Sequence, residues 1–233
     1  MPRKKILWLC SWYPSKLMPF NGDFIKRHAE AVSLYDDIRV IHIVRDLKGI
    51  ITKEVLTEDS NKDGLAEKII YYYTPSFRIS LFDKYWSELK YRKLYKQAIA
   101  DYMEKSGVPD LAHVHVGIKA GTIALWLKKK KTIPYVISEH WSGFLPEADE
   151  KISDQPFYLR SLWKKVIAGA SALSAVSAHL ANAIQQQFGV KKISIIPNVV
   201  DTSVFYPATS LSNDTRFIHI SGLAELKNPG TII

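Results

Sequence analysis

Two stretches of this sequence bring together side chains that can do chemistry. Glu139, His140, Trp141 and Ser142 follow directly on the apolar run Tyr135 to Ser138, so a carboxylate, an imidazole, an indole and a hydroxyl share one strand exit. Such a set suits a sugar, because an aromatic face packs on the ring while Glu and His hydrogen-bond its hydroxyls in defined directions. The second stretch is the long loop Ser11 to Asp23, which feeds a helix. Gly22 lets backbone approach a ligand, and the free amides of the next helix can hold a phosphate. A plain turn with Asp23 as N-cap accounts for the same residues. The loop has no G-x-G-x-x-G pattern, so a dinucleotide reading has little support.

Other candidates carry less. Glu139 and Glu147 are spaced E-x7-E, but one ends a strand and the other follows Pro146 in a loop, so no shared helix fixes their separation. His113 and His115 alternate along one strand and point the same way, yet without a third ligand nearby a metal site is unsupported. Cys10 is the sole cysteine and lies within the run Ile6 to Cys10, as a buried strand thiol would. The run Lys128 to Lys131 reads as a solvated helix C-terminus, where cations complement the dipole.

These residues need a scaffold, and 233 residues with 47% hydrophobic composition suffice for a substantial core. Strands are expected at Lys5–Cys10, Arg39–Arg45, Ile69–Thr74, Leu111–Val116, Pro134–Ser138, Ala172–Ser177 and Ile193–Pro197. Helices fit at Asp23–Tyr35, Phe82–Glu104, Ala120–Lys130, Phe157–Gly169 and Ala178–Phe188. Alternation of this kind predicts an α/β, doubly wound, mainly parallel Rossmann-like sheet, with ligands at the carboxyl ends of its strands. Gly49 to Tyr73 is the exception and reads as a hairpin turning at Glu58 to Gly64. Residues 1–207 are expected to form this domain. From Pro207 a polar linker leads to a strand at Arg216–Ile220 and a helix start, as if 208–233 opened a second domain that the chain does not complete.

Charge and targeting narrow the setting. Lys plus Arg number 32 against 23 Asp plus Glu, a net +9, and 12% of residues are aromatic, so an anionic partner is expected. The apolar stretch behind Met1-Pro2-Arg3-Lys4-Lys5 ends at Ser11, short of the roughly 7 to 15 residues of a secretory signal. The lone cysteine fits a reducing, cytoplasmic compartment. Val166 to Gly189 lacks charge, but serines, Asn182 and three glutamines interrupt it, and it reads as helix end, strand, helix.

A resemblance now has residues to stand on. Ser174-Ala175-Val176-Ser177, Leu180, Phe188-Gly189-Val190, Ile195 to Asp201 and Phe205-Tyr206-Pro207 resemble the domain junction of glycosyltransferase family 4, of the GT-B fold. Trp12-Tyr13-Pro14 with Asn21-Gly22-Asp23-Phe24, and the Glu139-His140 exit, resemble the amino-terminal domain of bacterial members. The resemblance implies a retaining, metal-independent enzyme with no cofactor, which moves a sugar from a nucleotide-diphosphate sugar to a cell-envelope glycan or lipid-linked acceptor. It implies an acceptor-side domain here and a donor-binding domain mostly beyond, so residues 1–233 alone are expected to turn over little sugar. By position, His140 would be catalytic at the transferred sugar or acceptor. Gly22 and Lys227 would serve the donor, and Asn21, Asp23, Glu139, Trp141 and Ser142 the acceptor. Two departures bear on this. The family's Asn-Gly-Val-Asp reads Asn198-Val199-Val200-Asp201, and Leu223 stands where an arginine is usual after Gly222.

Helix Phe82–Glu104 adds a location. Tyr85, Trp86, Leu89, Leu94, Ala98, Ile99, Tyr102 and Met103 form an apolar stripe, beside Lys84, Lys90, Arg92, Lys93 and Lys96. The stripe is expected to cover the sheet. The basic flank, with Lys128 to Lys131, suits weak contact with an anionic bilayer, peripheral on its inner face. Two other classes compete. A nucleic-acid module would explain the charge, but the basic residues are scattered and carry no such motif, so no nucleic-acid partner is expected. A noncatalytic membrane-associated scaffold would explain the aromatic and basic helix.

Overall fold

The computed structural model describes residues 2–62, 64–75, 80–190, 192–207, 218–220 and 229–231. Its strands are β1 (Lys5–Cys10), β2 (Asp37–Arg45), β3 (Val55–Lys62), β4 (Leu65–Tyr72), β5 (Leu111–His115), β6 (Tyr135–Glu139), β7 (Ala172–Ala175) and β8 (Ser194–Ile195). The longer helices are α1 (Asp23–Ser33), α2 (Ser80–Ser106), α3 (Gly117–Lys131), α4 (Phe157–Gly169) and α5 (Ala178–Phe188). All strands join one sheet in the order β3-β4-β2-β1-β5-β6-β7-β8, parallel throughout except for β3 against β4. The α/β doubly wound expectation holds. Lys227 and most of the segment expected to open a second domain lie outside the described residues, and 218–220 form no strand.

Strand order reverses at β1, which pairs with β2 on one side and with β5 on the other. That is a topological switch point, where the strand ends open a crevice. The pleat divides the packing: Leu7 and Leu9 enter the larger core with α2 to α5, whereas Trp8 and Cys10 enter a second core beneath α1. Cys10 is buried, and burial pushes its thiol upward, as expected of an inert strand cysteine.

Two expectations are corrected. The hairpin turns only around Gly64, whose φ is +84°, and Glu58 to Lys62 continue β3 instead of forming the turn. On an edge strand charged side chains remain in water, and they blunt the edge against further pairing. The buried face of α2 is also rotated from the expected stripe. Tyr91, Tyr95, Ala98 and Ile99 are buried, whereas Tyr85, Trp86 and Leu89 are exposed. Tyr95 lies deep enough for its hydroxyl to stand 2.9 Å from the Ile41 carbonyl and 3.1 Å from that of Cys10. A tyrosine so placed buries its ring and still satisfies its polar tip.

Candidate functional site

The ends of β1, β5 and β6 are tied by hydrogen bonds continuing past the strands, from Ser11 N to His115 O (3.1 Å) and from Val116 N to Ser138 O (3.1 Å). The Ser11 hydroxyl donates to the Val116 carbonyl and accepts from Ala120 N (3.1 Å) and Lys119 N (3.3 Å). Val116, fully buried, is held at φ 58° and ψ 96°. A β-branched residue there is strained, and such strain persists only where surrounding contacts over-determine it.

Glu139 supplies much of that determination. One carboxylate oxygen accepts from Gly117 N (3.1 Å), and the other from His140 N and Trp141 N, both at 3.0 Å. The residue is 1% exposed, and burial lifts its carboxyl to about 7, although the three amides pull the other way. Glu139 was expected among the acceptor contacts. Its carboxylate instead turns inward, capping α3 at the positive end of the helix dipole and fixing the His140-Trp141 backbone.

At the other wall, Gly22 is the N-cap of α1, at φ +70° and ψ 30°. A Cβ there would stand 2.9 Å from the Trp12 carbonyl carbon, so the glycine is required both by its conformation and by close backbone packing. Asp23 is the first helical residue instead of the cap. It accepts from Phe24 N (2.8 Å) and pairs with Arg27 at 3.1 Å. Asn21 is half-buried in the same turn, its backbone N–H donating to Met18 O at 3.2 Å.

His140 connects the two walls. Its ring centroid is 4.8 Å from Phe24, 5.9 Å from His28 and 5.7 Å from His115, and His115 stacks on Trp8 at 4.0 Å. His113 completes the group, 4.1 Å from His115, with Nε2 2.8 Å from the Ser138 hydroxyl. Burial holds these rings neutral, lowering His140 to about 4 and His113 to about 3, with His115 well below its usual value. Proximity of the other imidazoles adds to each shift. The His28 Nε2 lies 3.3 Å from Asn198 Oδ1, so the proton on that nitrogen donates to the junction segment following β8.

Trp141 and Ser142 are half-buried beside His140. The indole meets Phe144 edge-on at 5.5 Å and Trp163 at 6.5 Å, and it covers the backbone of Gly143. Of the predicted site residues, Asn21, Gly22, Asp23, Glu139, His140, Trp141 and Ser142 thus lie on the β1 and β6 exits and the facing end of α1, whereas Lys227 lies outside the described residues. Trp8, Ser11, His28, Val116 and Asn198 were missed as site residues. Only the paired histidines of β5 gave a signal, since their alternation placed both on the Trp8 side of the sheet. Glu147 pairs with His179 at 2.7 Å on the surface. Among the described residues no group of His, Cys, Asp and Glu is placed to hold a metal ion.

The architecture and the chain both have relatives. The sucrose-phosphate synthase (tll1590) of Thermosynechococcus elongatus superposes with a TM-score of 0.57 at 12% identity, covering 88% of this chain and 51% of that one. At that identity the likeness concerns the fold, that of a GT-B protein. A Bacillus subtilis (strain 168) protein, named for a teichuronic acid biosynthesis glycosyltransferase, TuaC, is 27% identical over 212 residues, 86% of this chain and 51% of that protein. The chain spans about half the length of these relatives. The profile of Glycosyltransferase Family 4 matches residues 51–204, covering β3 through the segment after β8 and including the Glu139-His140 exit. This chain therefore belongs to Glycosyltransferase Family 4.

Proposed function

We propose that this chain forms the acceptor-side half of a sugar-transferring site. A sugar would pass from a nucleotide-diphosphate donor to a cell-envelope glycan or lipid-linked acceptor, with retention and without a metal ion. The observation that carries the reading is that His140, beside Trp141 at the β6 exit, meets the start of the Gly22-capped helix α1 at the switch point of the sheet. Transfer requires a bond from an acceptor hydroxyl oxygen to the anomeric carbon as the bond to the nucleoside diphosphate breaks. His140 is a neutral imidazole whose ring nitrogens have no partner among the described residues, so it keeps hydrogen-bonding capacity for a sugar hydroxyl without the solvation a cation would demand. Trp141 offers an apolar face for a ring, Ser142, Asn21 and Asp23 offer polar contacts, and Gly22, by turning the chain against Trp12, sets the backbone proposed to approach the donor. Lys227 is proposed as a diphosphate contact on the family pattern alone. The relative named for teichuronic acid biosynthesis supports a biosynthetic use.

His140→Ala in the full-length protein is expected to lower kcat about 10²-fold or more with little change in melting temperature. Turnover of nucleotide-sugar panels by folded wild type and variant checks this. Wild-type kinetics in the variant would leave His140 structural.

Weak attachment to anionic bilayers is the proposal for location, with α2 as the contact. Two cations of the expected flank are already engaged within the chain, Lys90 with Glu54 and Arg92 with Glu88. Lys96 lies over the Trp126 ring, 5.1 Å from its centroid. Lys128 to Lys131 stand at the amino-terminal end of the sheet, opposite the first turns of α2. The reading therefore moves to those turns, where Leu81, Tyr85, Trp86 and Leu89 are exposed beside Lys84. No helix among the described residues is long and apolar enough to cross a membrane. In vesicle sedimentation, binding should require anionic lipid, fade with salt, and fall in Trp86→Ala and Lys84→Glu, each cation contributing about 1 kcal/mol. Equal binding to neutral vesicles, or none to either, defeats it.

A further inference from the structure

Of the seven histidines, His113 and His115 pack on Trp8, His140 follows from His115 and His28 from His140, and the geometry within that group is not uniform. His115 lies nearly parallel to both of its larger neighbours, at 28° to the Trp8 indole and 20° to the His140 ring. Phe24 and His28 meet His140 at 43° and 60°, so they wall the ring without aligning it. Neither ring nitrogen of His115 or His140 has a hydrogen-bond partner among the described residues, and all four atoms are shielded from solvent. With no hydrogen bond to orient the imidazole, its plane is set by packing alone.

Among the described residues neither ring has a counterion acting on it. His113, from the same strand, is bound to Ser138 of β6, and Cys10 of β1 is the register partner of His115. On α1 the charged group that acts on this cluster is the Arg27 cation, through His28. The Glu139 carboxylate is taken up by three backbone amides. The column is therefore a stack of neutral rings on an indole base.

We propose that His115 is a positioning residue for His140: its flat ring, backed by Trp8, fixes the plane in which the His140 imidazole meets a ligand. This rests on the reading that His140 contacts sugar or acceptor. The role needs a flat, close-packed ring and does not need a second imidazole, so phenylalanine should fill it and alanine should not. A vacated site would also admit water and relieve the desolvation of His140.

Imidazole Cε1–H NMR titration of the 233-residue chain tests this without substrate. His140 should titrate near 4 in the wild type. Its midpoint should stay there in His115→Phe and rise by about one pH unit or more in His115→Ala. If the alanine variant does not fold, His115→Gln is expected to raise the midpoint likewise. An unchanged midpoint in the folded Ala or Gln variant, or an equal rise in Phe, would overturn the proposal. Turnover by the full-length protein separates the two claims: kcat should fall in His115→Ala and recover in His115→Phe, with KM little changed. Should His140→Ala keep wild-type kcat while the titrations behave as expected, the sugar-contact reading fails and the positioning of the ring stands.

Discussion

Lowering the pH from 8 to 5 is expected to remove at least about 3–4 kcal/mol of folding stability, a loss set by His42, His113 and His140, deepened by His115, which burial also holds well below its usual value, and partly offset by one carboxyl. His42 and His140 are held at about 4 and His113 at about 3, each chiefly by burial. The unfolded chain takes a proton at each of these positions near pH 6.5, and the folded chain does not. Stability therefore falls as pH drops below the unfolded value, by about 2 kcal/mol per ring at pH 5 and about 6 for the three. Glu139 acts with the opposite sign. Its folded carboxyl titrates at about 7, so between there and the unfolded value near 4.5 the folded state binds the extra proton and gains about 2.5 kcal/mol on acidification to pH 5. Denaturant titrations at pH 8 and pH 5 give the net value directly. A stability unchanged or higher at pH 5 would mean that these rings are not held neutral in the fold.

Glu139→Ala should cost about 3–5 kcal/mol at pH 8, even though the residue itself is costly to bury. Three backbone amides, those of Gly117, His140 and Trp141, lose their acceptor in a place water does not reach. Glu139→Gln keeps one carbonyl for the His140 and Trp141 amides but sets an NH2 against Gly117 N–H, and is expected to cost about 1–2 kcal/mol. The amide also cannot titrate, so this variant should lose about 2.5 kcal/mol more than the wild type between pH 8 and pH 5. Thermal and chemical denaturation of both variants checks the magnitudes. A Glu139→Ala protein as stable as the wild type would show that the capping bonds contribute nothing.

Sequence reasoning found the scaffold because periodicity is imposed by burial. Helices Phe157–Gly169 and Ala178–Phe188 and strand Lys5–Cys10 fall at their expected bounds, the helices by their amphipathic period and the strand by its short continuous apolar run. The β3 edge escaped because solvated Glu58 to Lys62 look like a turn, although Asp63-Gly64 carried the better turn signal. On α2, residue type could not tell which aromatic face the sheet would cover. The site was legible where one segment held it, as in Glu139 to Ser142. It was illegible where it depended on pairing between distant strands. Nothing near Ser11 in sequence announces that its hydroxyl serves residues 116, 119 and 120, and Asn198 meets His28 across 170 positions.

The place of β1 in the sheet bears on the order in which the crevice comes into being. Its first neighbour, β2, follows within the next few dozen residues, but the other, β5, begins at Leu111, and β6 brings Glu139 later still. Emerging from the ribosome, Trp8, Ser11 and His28 must wait with one flank of β1 unpaired while about a hundred residues are made. In that interval β1 offers an open edge with apolar side chains on both faces, the form of strand most prone to wrong pairing. The crevice is thus finished by the late-made β5 and β6, and the segment reaching Asn198 is later again. A nascent chain halted before Glu139 would hold the Gly22 wall and the β5 histidines but not His140 or the β6 exit that faces them.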